Sequence, residues 1–416
     1  MRNIIINFGK KSKKALNHKL SSKQKDKVLK DYAHIINRNR KLIINENKKD
    51  IKNASKNKIK DELIKRLLLD NKKISSIINS IKRIIKLKDP TNVILEKWKR
   101  PNGLNISKIS IPIGVLCVIY ESRPNVTSDV ASLCFKSGNS VILKGGSEAF
   151  YSNQILSRLF RKSLIKNGFD KNFVQFINIK NRKVVDFLLT RMSKFIDVII
   201  PRGGKSLVKK VQDLSTVPTI GHLEGLCHSF VDKDANPKIA DKIIHNAKLR
   251  NTAICGATET ILLHEKIIKK FGILILKNLE NSGCKIVGDS KIKKIYKGKI
   301  QKASNEDWSR EYLAPTVSVK SVKNLNEAIA HINKYGTMHT DCIITQNKKT
   351  AKKFLKEVKS SIAMLNTSTQ FADGGEFGFG GEVGISTNTI PPRGPVGLNQ
   401  LISYKYYVTS NGRVRK

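Results

Sequence analysis

The sequence predicts an α/β protein with two doubly wound parallel-sheet domains and a small additional β element. Three observations support this. From Gly114 onward, short apolar runs alternate with segments whose apolar residues recur three and four apart, and a second such series starts near Ser229. Strands that alternate with helices need crossover connections and pair in parallel. The 416 residues, 39% of them hydrophobic, suffice for two or three domains with sizeable cores and are too apolar for a disordered chain. The run "LISYKYYVTS" near the C-terminus is rich in β-branched and aromatic residues with nothing after it to pair with. It is expected to add to the edge of another sheet, in this subunit or another.

Residues 1 to 90 read as helices, because apolar residues fall at helical spacing in "KVLKDYAHIINRNRKLI", "DELIKRLLLD" and "ISSIINSIKRIIKL", and Pro90 ends the region. "GLNISKISIPIG" is an alternating strand bracketed by Gly103 and Pro112. "GVLCVIY" is a buried strand followed by a helix over 126–136, and "NSVILKGG" by a helix over 147–166. "FVQFINI" leads to a helix near 181–189, "FIDVII" to a helix over 204–212, and "PTIGHLE" adds one more strand. The second series runs "HSFVD", helix 237–249, "TETILLH", helix 265–280, "CKIVG", "APTVSVKSV", helix 325–334, "DCIITQ", helix 348–357 and "SIAMLN".

Charge is the loudest compositional feature, with 79 basic and 33 acidic residues giving +46. Residues 1 to 100 alone hold 30 Lys or Arg against 9 Asp or Glu. Clustered lysines can neutralise nucleic-acid phosphates. Here they alternate with isoleucines at helical spacing and few aromatics interleave, which suits the solvated face of amphipathic helices better than a base-stacking groove. No specific nucleic acid is expected. Six cysteines, at 117, 134, 227, 255, 284 and 342, form no C-x-x-C pair, so neither a zinc ribbon nor a thioredoxin-type centre is expected and no metal is assigned. No early apolar segment resembles a signal peptide, and "IPIGVLCVIY" is too short to span a bilayer, so a soluble cytoplasmic protein with free thiols is expected.

Two turns carry tools suited to a dinucleotide. "LKGGSEA" places Lys144 at a strand end with Gly145, Gly146 and Ser147 at a helix start, and "IIPRGGKSLV" places Gly203 and Gly204 likewise. Neither fits a standard phosphate motif, and spacing alone leaves ordinary tight turns equally open. In "YESRPNVTSD", Pro124 biases Arg123 to an extended conformation and leaves Asn125 at a helix start, as a plain cap or as an amide aimed at a reacting oxygen. "GHLEGLCHS" gathers His222, Glu224, Cys227 and His228, which on a strand would split between faces, so metal binding is the weaker reading. The loop "FADGGEFGFGGEVG" is too glycine-dense for a helix or a regular strand. Cys255, in "RNTAICGATET", is either a small core residue or a thiol presented near a helix N-terminus that lowers its pKa.

Together these segments resemble the aldehyde dehydrogenase superfamily, and within it the gamma-glutamyl phosphate reductase family. The blocks "PIGVLCVIYESRPNVTSDVASLCFKSGNSVILKGGSEAFYSN", "VIIPRGGKSLV", "VPTIGHLEGLCHSFVDKDAN", "CGATETILLH", "HTDCIIT" and "FADGGEFGFGGEVGISTNTIPPRGPVGLNQLISYKYYV" carry the likeness. It implies an aldehyde dehydrogenase-like fold with an NADP-binding domain over 1–101 and 117–226, a catalytic domain over 227–366, and oligomerisation strands over 102–116 and 390–416. It implies NADPH-dependent reduction of L-glutamyl 5-phosphate to L-glutamate 5-semialdehyde, the second step of proline biosynthesis. Cys255 corresponds to the nucleophile and Asn125 to the oxyanion donor. Lys144, Ser147, Glu148, Gly203, Gly204 and Glu311 correspond to NADP(H)-binding positions. Arg123, His222 and Arg393 are candidates for the phosphoryl group. Hydrolytic relatives carry a glutamate base where this chain has His222, and a missing water-activating base suits a thioester that must react with phosphate instead. A homo-oligomer, with channelling from a separate glutamate kinase, is the expected assembly; the chain is too short to include a kinase domain. A coenzyme A-acylating aldehyde dehydrogenase and a nucleic-acid-binding protein with a basic N-terminus are the alternatives.

Overall fold

The computed structural model describes residues 1–57, 59 and 61–415. It divides into two units, Met1–Gly221 with Gly378–Gly384 and Pro395–Lys416, and His222–Phe377 with Ile385–Gly394.

In the first unit the helical start is built as the periodicity predicts. Ser22–Arg38 opens on a capping box between Ser21 and Gln24 and buries Val28, Leu29, Tyr32 and Ile36 along one stripe. Asn71–Lys86 does the same with Ile74, Ile77, Ile78, Ile81 and Ile84. The lysines of this unit are not all solvated. Lys25 is 2% exposed and bound to Asp89 at 2.9 Å, and Lys136 is buried against Asp26.

β1 (Ile94–Lys99) and β2 (Asn105–Pro112) form an antiparallel pair, and the C-terminal strand Ile402–Thr409 lies antiparallel on the other edge of β2, from Ile402 opposite Pro112 to Thr409 opposite Asn105. The strand with no later partner therefore finds one within its own chain. β3 (Val115–Tyr120), β4 (Ser140–Gly145), β5 (Val174–Phe176) and β6 (Val198–Arg202) form a parallel sheet in the order β5-β4-β3-β6. The chain winds outward from β3 through β4 to β5 and then returns to β3's other side, so the strand order reverses there. Crevices at such a reversal, beyond the carboxyl ends of the strands, are where this architecture binds nucleotides. "PTIGHLE" is not a strand but a single parallel bridge between Ile199 and Thr219. Pro218, without an N–H, cannot continue the ladder.

The second unit holds seven parallel strands: β7 (Cys227–Val231), β8 (Thr258–His264), β9 (Lys285–Gly288), β10 (Ile300–Lys302), β11 (Thr316–Val322), β12 (Thr340–Ile344) and β13 (Ile362–Leu365). Their order is β10-β9-β11-β8-β7-β12-β13. The helix expected over 265–280 is interrupted by a π-helical turn, Ile268–Gly272. No helix among the described residues is long and apolar enough to cross a membrane.

Candidate active site

Cys255 lies in a run of turns that joins the end of helix Pro237–Leu249 to β8. The expectation of a helix N-terminus beside it is corrected in chain order: the helix before it ends at Leu249, β8 follows at Thr258, and no helix begins in the turns between. The two ends of the turn run are clamped from below. Lys248, on the helix, and Glu259, on β8, form an ion pair at 2.6 Å with both side chains 0% exposed. Glu259 also accepts the Leu313 N–H at 3.2 Å.

What lowers the thiol is a pair of imidazoles. One nitrogen of His222, one of His339 and the Cys255 sulfur lie within 4.8 Å of one another. The two rings meet edge to face with centroids 4.9 Å apart. Burial pushes the Cys255 thiol up, but His339 and His222 together outweigh it and hold the thiol well below its ordinary value. His222 Nδ1 sits 2.9 Å from the Ile385 carbonyl. A carbonyl only accepts, so Nδ1 carries the proton and the neutral ring offers its lone pair at Nε2. His339 is fully buried, with Nδ1 2.9 Å from Thr340 Oγ1 and 3.5 Å from Cys227 Sγ, and Nε2 without a hydrogen-bond partner.

Adjacency in the sheet assembles this triangle. His339 immediately precedes β12 and Cys255 lies just before β8, and those strands flank β7, which Gly225 and Leu226 lead into. The site therefore sits at the amino edge of its sheet. Gly225 is needed there, since a Cβ on it would lie 2.4 Å from both the Cβ and the carbonyl oxygen of Cys255. Its N–H donates to Glu311 Oε1 at 3.0 Å, and burial pushes the Glu311 carboxyl up. Cys227 donates its thiol to the Cys255 carbonyl at 3.1 Å. The four polar residues of "GHLEGLCHS" do not converge. His228 is spent in a buried pair with Asp341 at 2.8 Å, and His222 joins residues far away in sequence. Arg393 is exposed and donates to the Lys359 carbonyl at 2.6 Å.

In the first unit, Arg123 is the N-cap and Pro124 the first residue of helix Pro124–Lys136. Asn125 is exposed inside the first turn and its amide donates to Asp129 at 3.1 Å, so it is not the helix cap. The two glycine turns end β4 and β6 at the carboxyl edge of the sheet. Lys144 is 7% exposed with its ammonium 2.8 Å from the Gly145 carbonyl, and burial lowers its pKa. Ser147 opens a short 3₁₀ turn. Glu148 accepts the Ser122 N–H at 2.6 Å, and a Cβ on Gly146 would lie 2.2 Å from its carboxylate. Gly204 precedes helix Lys205–Leu214 and its N–H donates to Glu121 at 2.8 Å, while a Cβ on Gly203 would lie 2.4 Å from that carboxylate. Glu121 had no signal in sequence beyond its place after β3.

The sequence profile of the aldehyde dehydrogenase family matches residues 9–285 and 300–404. The chain belongs to the aldehyde dehydrogenase family. Its similarity within the family is to proteins named gamma-glutamyl phosphate reductase, as the sequence blocks implied. The one from Nautilia profundicola is 45% identical over 95% of this chain and 96% of the relative. That from Thermodesulfovibrio yellowstonii is 42% identical over 100% of both. The crystal structure of the Thermotoga maritima gamma-glutamyl phosphate reductase, 38% identical, superposes with a TM-score of 0.96 over 99% of this chain and 100% of that one. As a member of the aldehyde dehydrogenase family the chain is an oxidoreductase, and its fold is the α/β one expected from the alternation of strands and helices.

Proposed function

We propose that the enzyme reduces L-glutamyl 5-phosphate to L-glutamate 5-semialdehyde with NADPH, releasing phosphate, as the second step of proline biosynthesis in the cytoplasm. The cluster of Cys255 with His222 and His339 carries this reading, because it supplies a thiolate before any substrate arrives. His222 Nε2 takes the thiol proton. The Cys255 sulfur attacks the acyl carbonyl, the carbon–oxygen bond to phosphate breaks, and a thioester remains on Cys255. Asn125 and the Cys255 backbone N–H steady the developing oxyanion. Once the carbonyl carbon has been reduced, the carbon–sulfur bond breaks, the aldehyde leaves and the thiolate is restored. Arg123 and His222 are the groups proposed for the phosphoryl oxygens, with Arg393 only if it leaves the Lys359 carbonyl.

The first unit's residues fit NADP(H). The strand order reverses at β3, glycines end β4 and β6 at the carboxyl edge of the sheet, and a helix N-terminus stands at Gly204. Lys144, Ser147, Glu148, Gly203 and Gly204 would hold the cofactor, with Glu311 proposed for its nicotinamide ribose. When bound, NADPH supplies the hydride that reduces the thioester.

Phosphate-dependent reduction of NADP⁺ with glutamate semialdehyde, run in the reverse direction, tests the proposal. Wild-type protein should show it and Cys255→Ser should lose roughly 10³-fold or more. Full activity in the variant, or dependence on coenzyme A in place of phosphate, would overturn it. The small sheet of β1, β2 and the C-terminal strand exposes Ile94, Leu95, Tyr404, Tyr406 and Val408, and we propose it as the contact of a homo-oligomer, to which a separate glutamate kinase would deliver the substrate.

A further inference from the structure

The structure assigns a second ligand to the nucleophile's own surroundings. We propose that His222, Cys255 and His339 bind a divalent cation of the zinc class, and that its occupancy switches the enzyme off reversibly.

Two imidazoles and a thiolate form the borderline-soft donor set that such a cation selects over calcium or magnesium. The three donor atoms lie within 4.8 Å of one another. Bonds of about 2.0–2.1 Å to nitrogen and about 2.3 Å to sulfur put neighbouring donors of a tetrahedral site roughly 3.4–3.8 Å apart. Side-chain rotations of about 1 Å close that difference. The donors come from three chain segments that are already held. The Ile385 carbonyl at 2.9 Å fixes the His222 tautomer that leaves Nε2 able to ligate, as second-layer carbonyls do for metal-binding histidines. Gly225 packs the Cys255 loop in place. His339 Nδ1 is engaged by Thr340 Oγ1 at 2.9 Å, which leaves its buried Nε2 as the nitrogen for a metal. A thiol and two imidazole nitrogens drawn to one point from three chain segments are placed as a set of ligands would be.

On binding, the proton shared by the Cys255 sulfur and His222 Nε2 goes to solvent, sulfur–metal and nitrogen–metal bonds form, and the cation sheds water. Three protein ligands leave one coordination position to water or an anion. The sulfur lone pair that would attack an acyl carbonyl is then committed to the metal, so metal and acyl group exclude each other. Cys227 stays outside the set, since its thiol is turned to the Cys255 carbonyl at 3.1 Å.

Metal-free full-length protein titrated with Co²⁺ reports the site through the thiolate-to-cobalt charge-transfer band and the visible bands of four-coordinate cobalt. One equivalent should saturate both bands, and Zn²⁺ should displace the cobalt. Cys255→Ser should abolish the charge-transfer band, His339→Gln should weaken binding by at least about tenfold, and Cys227→Ser should keep both, with circular dichroism confirming that each variant is folded. NADP⁺-reducing activity should fall with occupancy and return on addition of EDTA. A band that survives in Cys255→Ser, or no band at one equivalent of cobalt, would overturn the site. The spectrum needs no substrate, so a failure of the proposed reductase activity would leave this test standing and distinct.

Discussion

At the scale of single residues, protonation decides what Cys255 can do. Burial raises its pKa and the two imidazoles lower it, with His339 the largest lowering influence and the balance well below the ordinary thiol value. The thiolate is therefore retained at pH values where a free cysteine is protonated, and it is lost only as pH falls through the lowered pKa. Removing His339 takes away the main opposition to burial. His339→Gln should move the inflection of the rate of iodoacetamide alkylation against pH upward, and His222→Gln should move it upward by less; an unmoved inflection in both would refute this account. Cys255 stood out in the sequence through its block, whereas His222 was read there as a candidate for the phosphoryl group and not as a neighbour of the thiol. His339 did not stand out, although it begins the block "HTDCIIT", because its importance comes from the sheet order that sets β12 and β8 on either side of β7.

At the scale of elements, close approach explains what periodicity cannot see. Gly225→Ala should lower kcat by about an order of magnitude or more and the melting temperature with it, because the added methyl meets the Cys255 backbone, which cannot swing aside as a flexible side chain would; a 1 Å misplacement at such a site can cost about 10²-fold. Circular dichroism melts with steady-state kinetics would check both halves. The small sheet makes a different prediction. Tyr406 and Val408 are 53% and 54% exposed on its C-terminal edge strand. Tyr406→Asp with Val408→Asp should shift sedimentation velocity toward a smaller species if that edge joins copies of the chain, and an unchanged profile would remove it from the interface. Most strands and helices were readable from apolar spacing, and helices Pro237–Leu249 and Lys348–Glu357 begin and end where the pattern placed them. The short β10 and helix Ser290–Ile295 were missed because lysines crowd a stretch too brief to show a period. The π-helical turn was invisible because it keeps helical composition.

At the scale of the whole molecule, the +46 charge is the property most apt to mislead. Lys25, Lys136 and Lys248 show that some of the basic residues are structural, each buried against a carboxylate. Buried pairs of this kind specify geometry rather than partners. Fluorescence titration with duplex DNA should find binding at low salt that fades by physiological ionic strength; sub-micromolar binding that persists there would restore a nucleic-acid role. The division into two α/β units was foreseen because alternation of strand and helix is a property of long stretches, insensitive to any one residue. The six thiols differ far more than their shared chemistry suggests. Burial pushes Cys117 and Cys342 up to about 12 and Cys284 to about 11, and raises Cys134 and Cys227 as well, while Cys255 alone is lowered. A limiting amount of a mild electrophile would thus mark one atom per chain, so that folded, competent molecules in a preparation could be counted individually by mass, without a substrate and without an engineered tag.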